Sequence, residues 1–297
     1  MAASHPLDRF LLERMRDGNI STTALVVTFF CDVVTQHGGE IWLGSVIRTL
    51  TPLGINERLT RTSVYRLVQD GWLESRKQGR RSYYRLTQTG QNYYQRAAQR
   101  IYTSNQPDWD GGWSLLFTSL VPEEKRDALK RGISWLGYGQ MAAGVHALPC
   151  NQTWSVDELL ADLDLQDRVV QMQAQANDTE RLKELVLSRW KLDDLQGLYK
   201  AFVSLYVEAR NALHAQKQAD GHTLVLLRIL LIHEYRRILL KDPELPAKML
   251  PGNWEGHAAR KLTAEIYREL AKPTTKWVRQ ELLISGKPMT DGRHRFA

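Results

Sequence analysis

Cysteine is scarce in this chain of 297 residues: Cys31 and Cys150 are its only two. Two thiols cannot build a disulfide framework or, alone, close a structural zinc site, so a reducing compartment is the simplest home. Long hydrophobic runs are missing too. The longest apolar stretch, Leu224 to Ile232, is short and broken by Arg228, well below the roughly 20 residues of a membrane span. The start MAASHPLDRFLLERMRDG carries acids and bases where a secretory signal would be apolar. These absences predict a soluble cytoplasmic protein without disulfides or membrane segments. What is present is ordinary globular material, 43% hydrophobic and 25% charged, which argues against wholesale disorder. The length is about twice that of a common domain, so two or three domains are expected.

Net charge is +7, and it is unevenly placed. Residues 1–100 hold 14 Lys and Arg against 8 Asp and Glu, whereas residues 101–297 hold 26 against 25. Within the first part, Asn56 to Arg85 carries Arg58, Arg61, Arg66, Arg76, Lys77, Arg80, Arg81 and Arg85 against Glu57, Asp70 and Glu74. A basic module joined to a nearly neutral remainder suggests a polyanion read by one end of the molecule.

Local signals give that end a shape. Ser21 is an N-cap candidate, with Ile20 and Leu25 as a hydrophobic staple, for an apolar helix over 22–37 that ends at Gly38-Gly39. A short extended piece at 40–42 precedes a second helix over 43–53. Asn56 can cap a third helix reaching Asp70, with Leu59, Ser63, Leu67 and Val68 on or near the inner face. Arg58, Arg61, Thr62, Tyr65 and Gln69 fall on the other face. After Gly71 the period changes, and two short strands, 73–77 and 82–86, flank the tip Gln78-Gly79-Arg80-Arg81. Helix, strand, helix, helix, basic hairpin is the order of a winged helix-turn-helix, whose third helix enters a major groove while the wing reaches flanking phosphates. Candidate DNA contacts are Arg58, Thr60, Arg61, Thr62, Tyr65 and Arg66 on the helix, and Arg76, Lys77, Arg80, Arg81 and Tyr83 on the wing. LTQTG then opens an amphipathic helix with Tyr93, Ala97 and Ile101 on one stripe, and Asn105-Gln106-Pro107-Asp108 reads as the start of a linker.

The middle segment alternates. Residues 113–120 read as a strand, Pro122 starts a helix to about Leu136, and extended pieces follow near 140–143 and 145–148. Ser155 to Glu158 forms a capping box for a short helix, and 168–173 reads as a last strand. The order βαββαβ suggests a ferredoxin-like unit, which by itself names no function. The carboxy-terminal third is helical: a stripe from Leu195 to Leu213, then 224–240, 258–270 and 274–283. Three prolines and Trp254 order the loop 242–256, and loops of that length are often functional. The fold class is thus α+β and multidomain: a winged helix-turn-helix with linker helix at 1–104, a ferredoxin-like unit at 105–177, and a helical domain at 178–297.

Motifs that would indicate catalysis fail on inspection. Gly137-Tyr-Gly139 lacks the third glycine of a dinucleotide fingerprint and follows a helix instead of a strand. His233-Glu234 is followed at 237 by Arg, where a zinc-protease helix carries its second histidine. Cys31 sits in an apolar helix, and His146 lies four residues before Cys150 by chance spacing. Asn151 and Asn177 open glycosylation sequons without an export signal. No enzyme, metal site or cofactor is expected.

Three strings carry a family likeness. IWLGSVIRTLTPLGINERLTRTSVYRLVQDGWLESRKQGRRSYYRLTQTG resembles the DNA-binding domain of PaaX-type repressors of phenylacetic acid degradation. WSLLFTSLVPEEKRDALKRGISWLGYGQMAAGVHALP is similar to that family's central domain, and HEYRRILLKDPELPAKMLPGNWEGHAARKLTAEIYREL to its carboxy-terminal signature. The resemblance implies a homodimeric, nucleoid-associated repressor on an inverted-repeat operator in double-stranded DNA, released by phenylacetyl-CoA. Such a thioester offers phosphates to arginines and an acyl group to aromatics, which makes Tyr235, Arg236, Arg237 and Trp254 the candidate effector residues. Rival readings are a regulator answering to another acyl-CoA, and an enzyme carrying a winged helix for targeting.

Overall fold

A computed structural model describes residues 5–17, 20–103, 109–149, 154–176, 179–190, 192–216, 219–282, 284–285 and 295–296. In chain order the elements are α1 (Pro6–Asp17), α2 (Thr22–Asp32), β1 (Glu40–Trp42), α3 (Leu43–Leu50), α4 (Glu57–Gln69), β2 (Leu73–Gln78), β3 (Arg81–Leu86) and α5 (Gln88–Ile101). Next come β4 (Gly112–Phe117), α6 (Glu123–Trp135), β5 (Gly139–Ala142), β6 (Val145–Leu148), α7 (Trp154–Asp162) and β7 (Val170–Gln175). The chain continues with α8 (Thr179–Arg189), α9 (Leu192–Ala215), α10 (Gly221–Leu239), α11 (Glu255–Glu281) and β8 (Ile284–Ser285). The fold is mixed α+β with two antiparallel sheets. Among the described residues no helix is long and apolar enough to cross a membrane. Cys150, Asn151, Asn177 and the linker residues Asn105–Asp108 lie outside the described residues.

The chain divides into two compact units. The first comprises Met1–Ser104, Ala201–Arg237 and His257–Ala297; the second comprises Asn105–Lys200 and Ile238–Gly256. Residues expected to form a separate helical domain are therefore shared between the two.

In the first unit the capping chemistry acts where the sequence places it. The Ser21 hydroxyl accepts from the Ala24 amide, Asn56 from Leu59 (2.9 Å) and Thr87 from Gly90 (3.0 Å), each meeting an amide that a helix start leaves unpaired. The first sheet runs β2-β3-β1-β8, with Glu40 opposite Arg85 on one side and Ser285 on the other. Gly38, at φ +136°, lets the chain pass this edge: a Cβ there would sit 2.5 Å from the Ser285 carbonyl oxygen. The hairpin tip is two residues instead of four, because Gln78 still pairs with Arg81. Gly79 takes φ +59°, the left-handed backbone that a two-residue turn opens with when glycine comes first.

Several helices differ from the sequence reading. The helix expected over 22–37 ends at Asp32 and continues as a tight 3-10 turn, Val34–Gln36; α3 likewise ends at Leu50, before a 3-10 turn Thr51–Leu53. Ser155 lies within α7, which includes Trp154, so Ser155 is not the N-cap. The two helices expected around Pro273 are one, α11. Proline withholds an amide, but the Thr274 hydroxyl donates to the Leu270 carbonyl (2.6 Å) and accepts from Arg228 (3.0 Å), which anchors the helix across that point.

The core of the first unit is built on α2, whose residues from Leu25 to Asp32 are buried. Asp32 (0% exposed) meets Arg228 from α10 (1% exposed) through Oδ2 at 2.7 Å. Its Oδ1 accepts from Arg295 (2.5 Å), Tyr102 (2.6 Å) and Tyr267 (3.0 Å). Burial alone would raise the Asp32 carboxyl, but Arg228, then Arg295, outweigh it and hold it below the usual range. Arg228 lies over the Tyr267 ring (4.6 Å) and Arg295 over Tyr102 (4.0 Å), so both cations have π faces as well as an anion. Cys31 beside them is buried, and its thiol is pushed up to about 12 by desolvation.

The second unit holds the second sheet, β5-β6-β4-β7, with β4 between β6 and β7. Gly137 and Tyr138, read above as part of a failed glycine motif, close α6: their amides return to the carbonyls of Ser134 and Ile133. The proline-rich segment after α10 is pinned at both ends. Asp242 accepts from the Tyr199 hydroxyl (2.7 Å) and the Glu244 amide (2.7 Å), and the Gln196 side chain bridges Asn253 and Glu255.

Two stability predictions follow. Asp32→Asn leaves Arg228 and Arg295 without a counter-charge, and should cost about 3–5 kcal/mol in urea unfolding. His233, fully buried on α10, has its pKa depressed from 6.5 to about 3, first by desolvation and then by Arg236 and Arg237. The unfolded chain therefore takes a proton below pH 6.5 that the folded one refuses, so stability falls as pH drops from 6.5 toward 3. This one group contributes at most about 1.4 kcal/mol per pH unit. His233→Gln should flatten that slope between pH 6.5 and 5, which urea midpoints measured across this range will report.

Candidate nucleic-acid interface

Helix α4 turns Thr60, Ser63, Val64 and Leu67 inward, an i, i+3, i+4, i+7 stripe. The Thr23 hydroxyl meets that of Ser63 (3.2 Å), fixing α4 against α2. This corrects the inner face expected from sequence: Ser63 and Leu67 are buried as expected, but Thr60 and Val64 complete the stripe in place of Leu59, which is exposed (46%), and Val68. Thr60 spends its hydroxyl on the Asn56 carbonyl (3.2 Å) and is a packing residue, not one presented outward.

The outward face consequently carries Arg58, Leu59, Arg61, Thr62, Tyr65, Arg66 and Gln69. Tyr65 is 66% exposed, although an aromatic of that size usually seeks burial. Arg61 pairs with Glu57 (2.7 Å) and Arg66 with Asp70 (3.8 Å), one helical turn apart and open to solvent. Such pairs are worth well under 1 kcal/mol and yield readily to a better anion. Leu59 is the residue that sequence reading missed on this face. Its signal was there: 59, 62, 66 and 69 share one side of a helix.

On the hairpin the cations divide by partner. Arg76 binds Glu40 through two hydrogen bonds (3.0 and 2.6 Å), and Arg85 binds Glu74 (2.7 Å). The Glu40 carboxyl lies below its usual range, first because Arg76 donates to it. Arg76 thus ties the hairpin to β1 and lies over Tyr83 (5.9 Å), which makes both parts of the scaffold. Arg81 rests on the Trp42 ring (5.0 Å), its charge still exposed. Arg58, Lys77, Arg80 and Arg81 form no ion pair among the described residues. Sequence reading therefore found the cationic face but could not separate structural arginines from free ones.

Candidate effector residues are dispersed. Tyr235 is buried in the first unit with its ring 5.7 Å from that of Phe202. Trp254 belongs to the second unit, buried edge-on against Tyr199 (5.7 Å). Arg237 is exposed, and Arg236 lines a cavity of about 30 Å³ with Cys31, Trp72, Tyr93, Tyr94 and Tyr102. Among the described residues the Arg236 Nε finds no hydrogen-bond partner, and neither does Nε2 of His233 one turn earlier, whose Nδ1 contacts the Thr28 hydroxyl (3.2 Å). Trp72 stacks on Tyr93 (5.3 Å) at the root of β2. Glu234, the other half of the apparent protease motif, accepts from Tyr206 (2.9 Å) and pairs with Arg14. Among the described residues no group of three or more metal-ligating side chains is gathered.

Comparison with known proteins joins these parts. Residues 21–90 match the family model described as PaaX-like protein, 106–186 the PaaX protein central Cas2-like domain, and 190–280 the PaaX-like protein C-terminal domain. The chain is 34% identical over 279 residues to the transcriptional repressor PaaX of Escherichia coli strain K12, covering 93% of this chain and 88% of that protein. The fold is similar to that of an uncharacterized protein from Mycobacterium tuberculosis at a TM-score of 0.51 and 22% identity, over 78% of this chain and 89% of that one. With a cationic helix face and hairpin in the first segment and family matches from 21 to 280, the chain belongs to the PaaX family.

Proposed function

We propose that this protein is a DNA-binding transcriptional repressor of phenylacetate catabolic genes, released from its operator by phenylacetyl-CoA. The observation that carries the reading is the outward face of α4 beside a hairpin with three cations, Lys77, Arg80 and Arg81, in no ion pair among the described residues, in a chain 34% identical over 93% of its length to a named repressor. The run α2-β1-α3-α4-β2-β3 is read as a winged helix, with α4 as recognition helix and β2-β3 as wing. The second sheet, in the order β5-β6-β4-β7 with α6 and α7 as crossovers, is read as the ferredoxin-like unit.

In this reading Arg58, Arg61, Thr62, Tyr65 and Arg66 face base edges and adjacent phosphates, with Leu59 placed for thymine methyl groups. Lys77, Arg80 and Arg81 neutralise flanking phosphates. Two copies of the chain place two such helices about one helical turn of DNA apart, or a multiple of it, on an inverted repeat. For the effector, support attaches to Arg236: an unmet N–H beside four aromatic side chains suits a polar acyl-CoA group with an aromatic end. Arg237 serves as an outer anion contact, and the aromatic role passes from Tyr235 and Trp254 to Trp72 and Tyr93. The cavity has the volume of about one water molecule, so a phenyl group enters only by moving its wall. Trp72 is part of that wall and joins α4 to β2, so the ligand favours a wing geometry that no longer fits the operator.

Two experiments test this. Arg80→Ala should weaken binding to operator and random DNA alike and lower the slope of log K against log salt by about 0.9. Arg61→Ala should instead cost about 1–3 kcal/mol on operator and relax base preference. Indistinguishable variants would undo the division of labour. In fluorescence anisotropy, phenylacetyl-CoA should release the operator while phenylacetate and CoA do not. Arg236→Gln with Arg237→Gln should raise the phenylacetyl-CoA needed by about tenfold or more. Operator binding untouched by all three ligands would discard the effector and keep the DNA-binding reading.

A further inference from the structure

The second unit contains a cavity of about 350 Å³ between α6 and the β5-β6 turn. Its floor is apolar, formed by Val121, Leu129 and Ile133, all buried. Its titratable lining residues are Arg126, Lys130 and His146, and no aspartate or glutamate lines it. Arg126 and Lys130 are exposed residues of that lining. The Arg126 Nε donates to the Val121 carbonyl (3.1 Å), which holds the guanidinium over the floor. Lys130 lies one turn further along the same helix, at i+4. His146 is buried on β6, where burial first and the Lys130 charge second hold its pKa below 6.5, so it is neutral near pH 7 and keeps one N–H to donate.

Cations converging on a concave apolar surface without an acid create a positive potential that water alone compensates poorly. A cavity of a few hundred cubic ångströms, mostly apolar with a few converging polar groups, has the make-up of a small-molecule site. We propose that this cavity is a binding site for a small organic carboxylate, with its apolar body on Val121, Leu129 and Ile133 and its charge toward Arg126 and Lys130. A carboxylate supplies two acceptor oxygens to two cations on one helix edge, and the hydrocarbon it carries suits the floor. The site lies in a different unit from the DNA-facing residues and from Arg236, and it does not depend on phenylacetyl-CoA as effector.

Isothermal titration of the full-length protein tests the proposal with benzoate as the aromatic probe, hexanoate as the aliphatic one and benzamide as the neutral isostere. At least one carboxylate should bind, and benzamide should bind about tenfold more weakly or not at all. Lys130→Ala and Arg126→Gln should each weaken the carboxylate about tenfold. Ala143→Trp, at an exposed position on the cavity lining, should abolish binding by filling the space while leaving the thermal unfolding curve unchanged. The choice of benzoate over hexanoate, or the reverse, assigns the shape of the ligand body. No binding of either carboxylate up to about 10 mM, equal binding of benzamide, or binding that survives Ala143→Trp in the folded protein would each overturn the site.

Discussion

One buried carboxylate organises the first unit. Asp32 sits at the end of an apolar helix, where ionisation without partners would be prohibitive. Its two oxygens are shared among Arg228, Arg295, Tyr102 and Tyr267, which come from α10, the segment 295–296, the end of α5 and α11. Four segments of the first unit that follow the hairpin thus report to one atom pair. Two cations against one anion would leave an excess positive charge, and tyrosine rings and hydroxyls disperse it: Arg228 also donates to Tyr267, and Arg295 to Tyr94. Such a cluster adds geometric definition as much as net stability, since its hydrogen bonds tolerate a single arrangement of the helices.

That arrangement reaches the cationic surface proposed for DNA through shared residues. Cys31 and Tyr102 belong to the surroundings of Asp32 and also line the small cavity with Trp72. Trp72 in turn takes its backbone contacts from Leu67 of α4 and from Thr87, after β3. Helix α4, the hairpin, the cavity and the buried carboxylate are therefore consecutive neighbours within one unit. Arg76 with Glu40, and Ser285 on the same Glu40 oxygen (2.8 Å), fix the opposite side of the sheet. The outer cations are left free because the inner ones are engaged in holding the elements that present them.

Much of this was legible in sequence wherever the physics is local. Ser21 and Asn56 announce helix starts through their own side chains, and Gly79 announces a hairpin through its backbone freedom. The alternation of 73–86 announces a paired strand whose charges face outward. Long-range pairing was not legible. Arg228 reads as an interruption of an apolar run, and nothing near it in sequence names Asp32, 196 residues away, as its partner. Leu59 lies at the edge of the buried stripe, next to Ser63 on the helix wheel, and its exposure was decided by how α4 meets α2. Pro273 reads as a boundary because the rescue comes from a hydroxyl and a distant guanidinium. The cavity under Arg126 and Lys130 was invisible for a similar reason: its floor and its rim come from a helix, a strand and a turn that only the sheet order brings together.

The contact between Asp32 and Arg295 spans 263 residues of chain. At a synthesis rate of roughly 5–20 residues per second, a ribosome makes the second partner on the order of 13–50 s after the first. Arg228 follows Asp32 by 196 residues and Arg295 comes later still, so for most of that interval the apolar helix ending in Asp32 exists without the cations that neutralise it, and the hairpin it supports has no finished foundation. The amino-terminal segment proposed to face DNA is therefore completed late in biosynthesis, and the nascent chain must keep a hydrophobic helix from unwanted partners for most of the time it takes to be made.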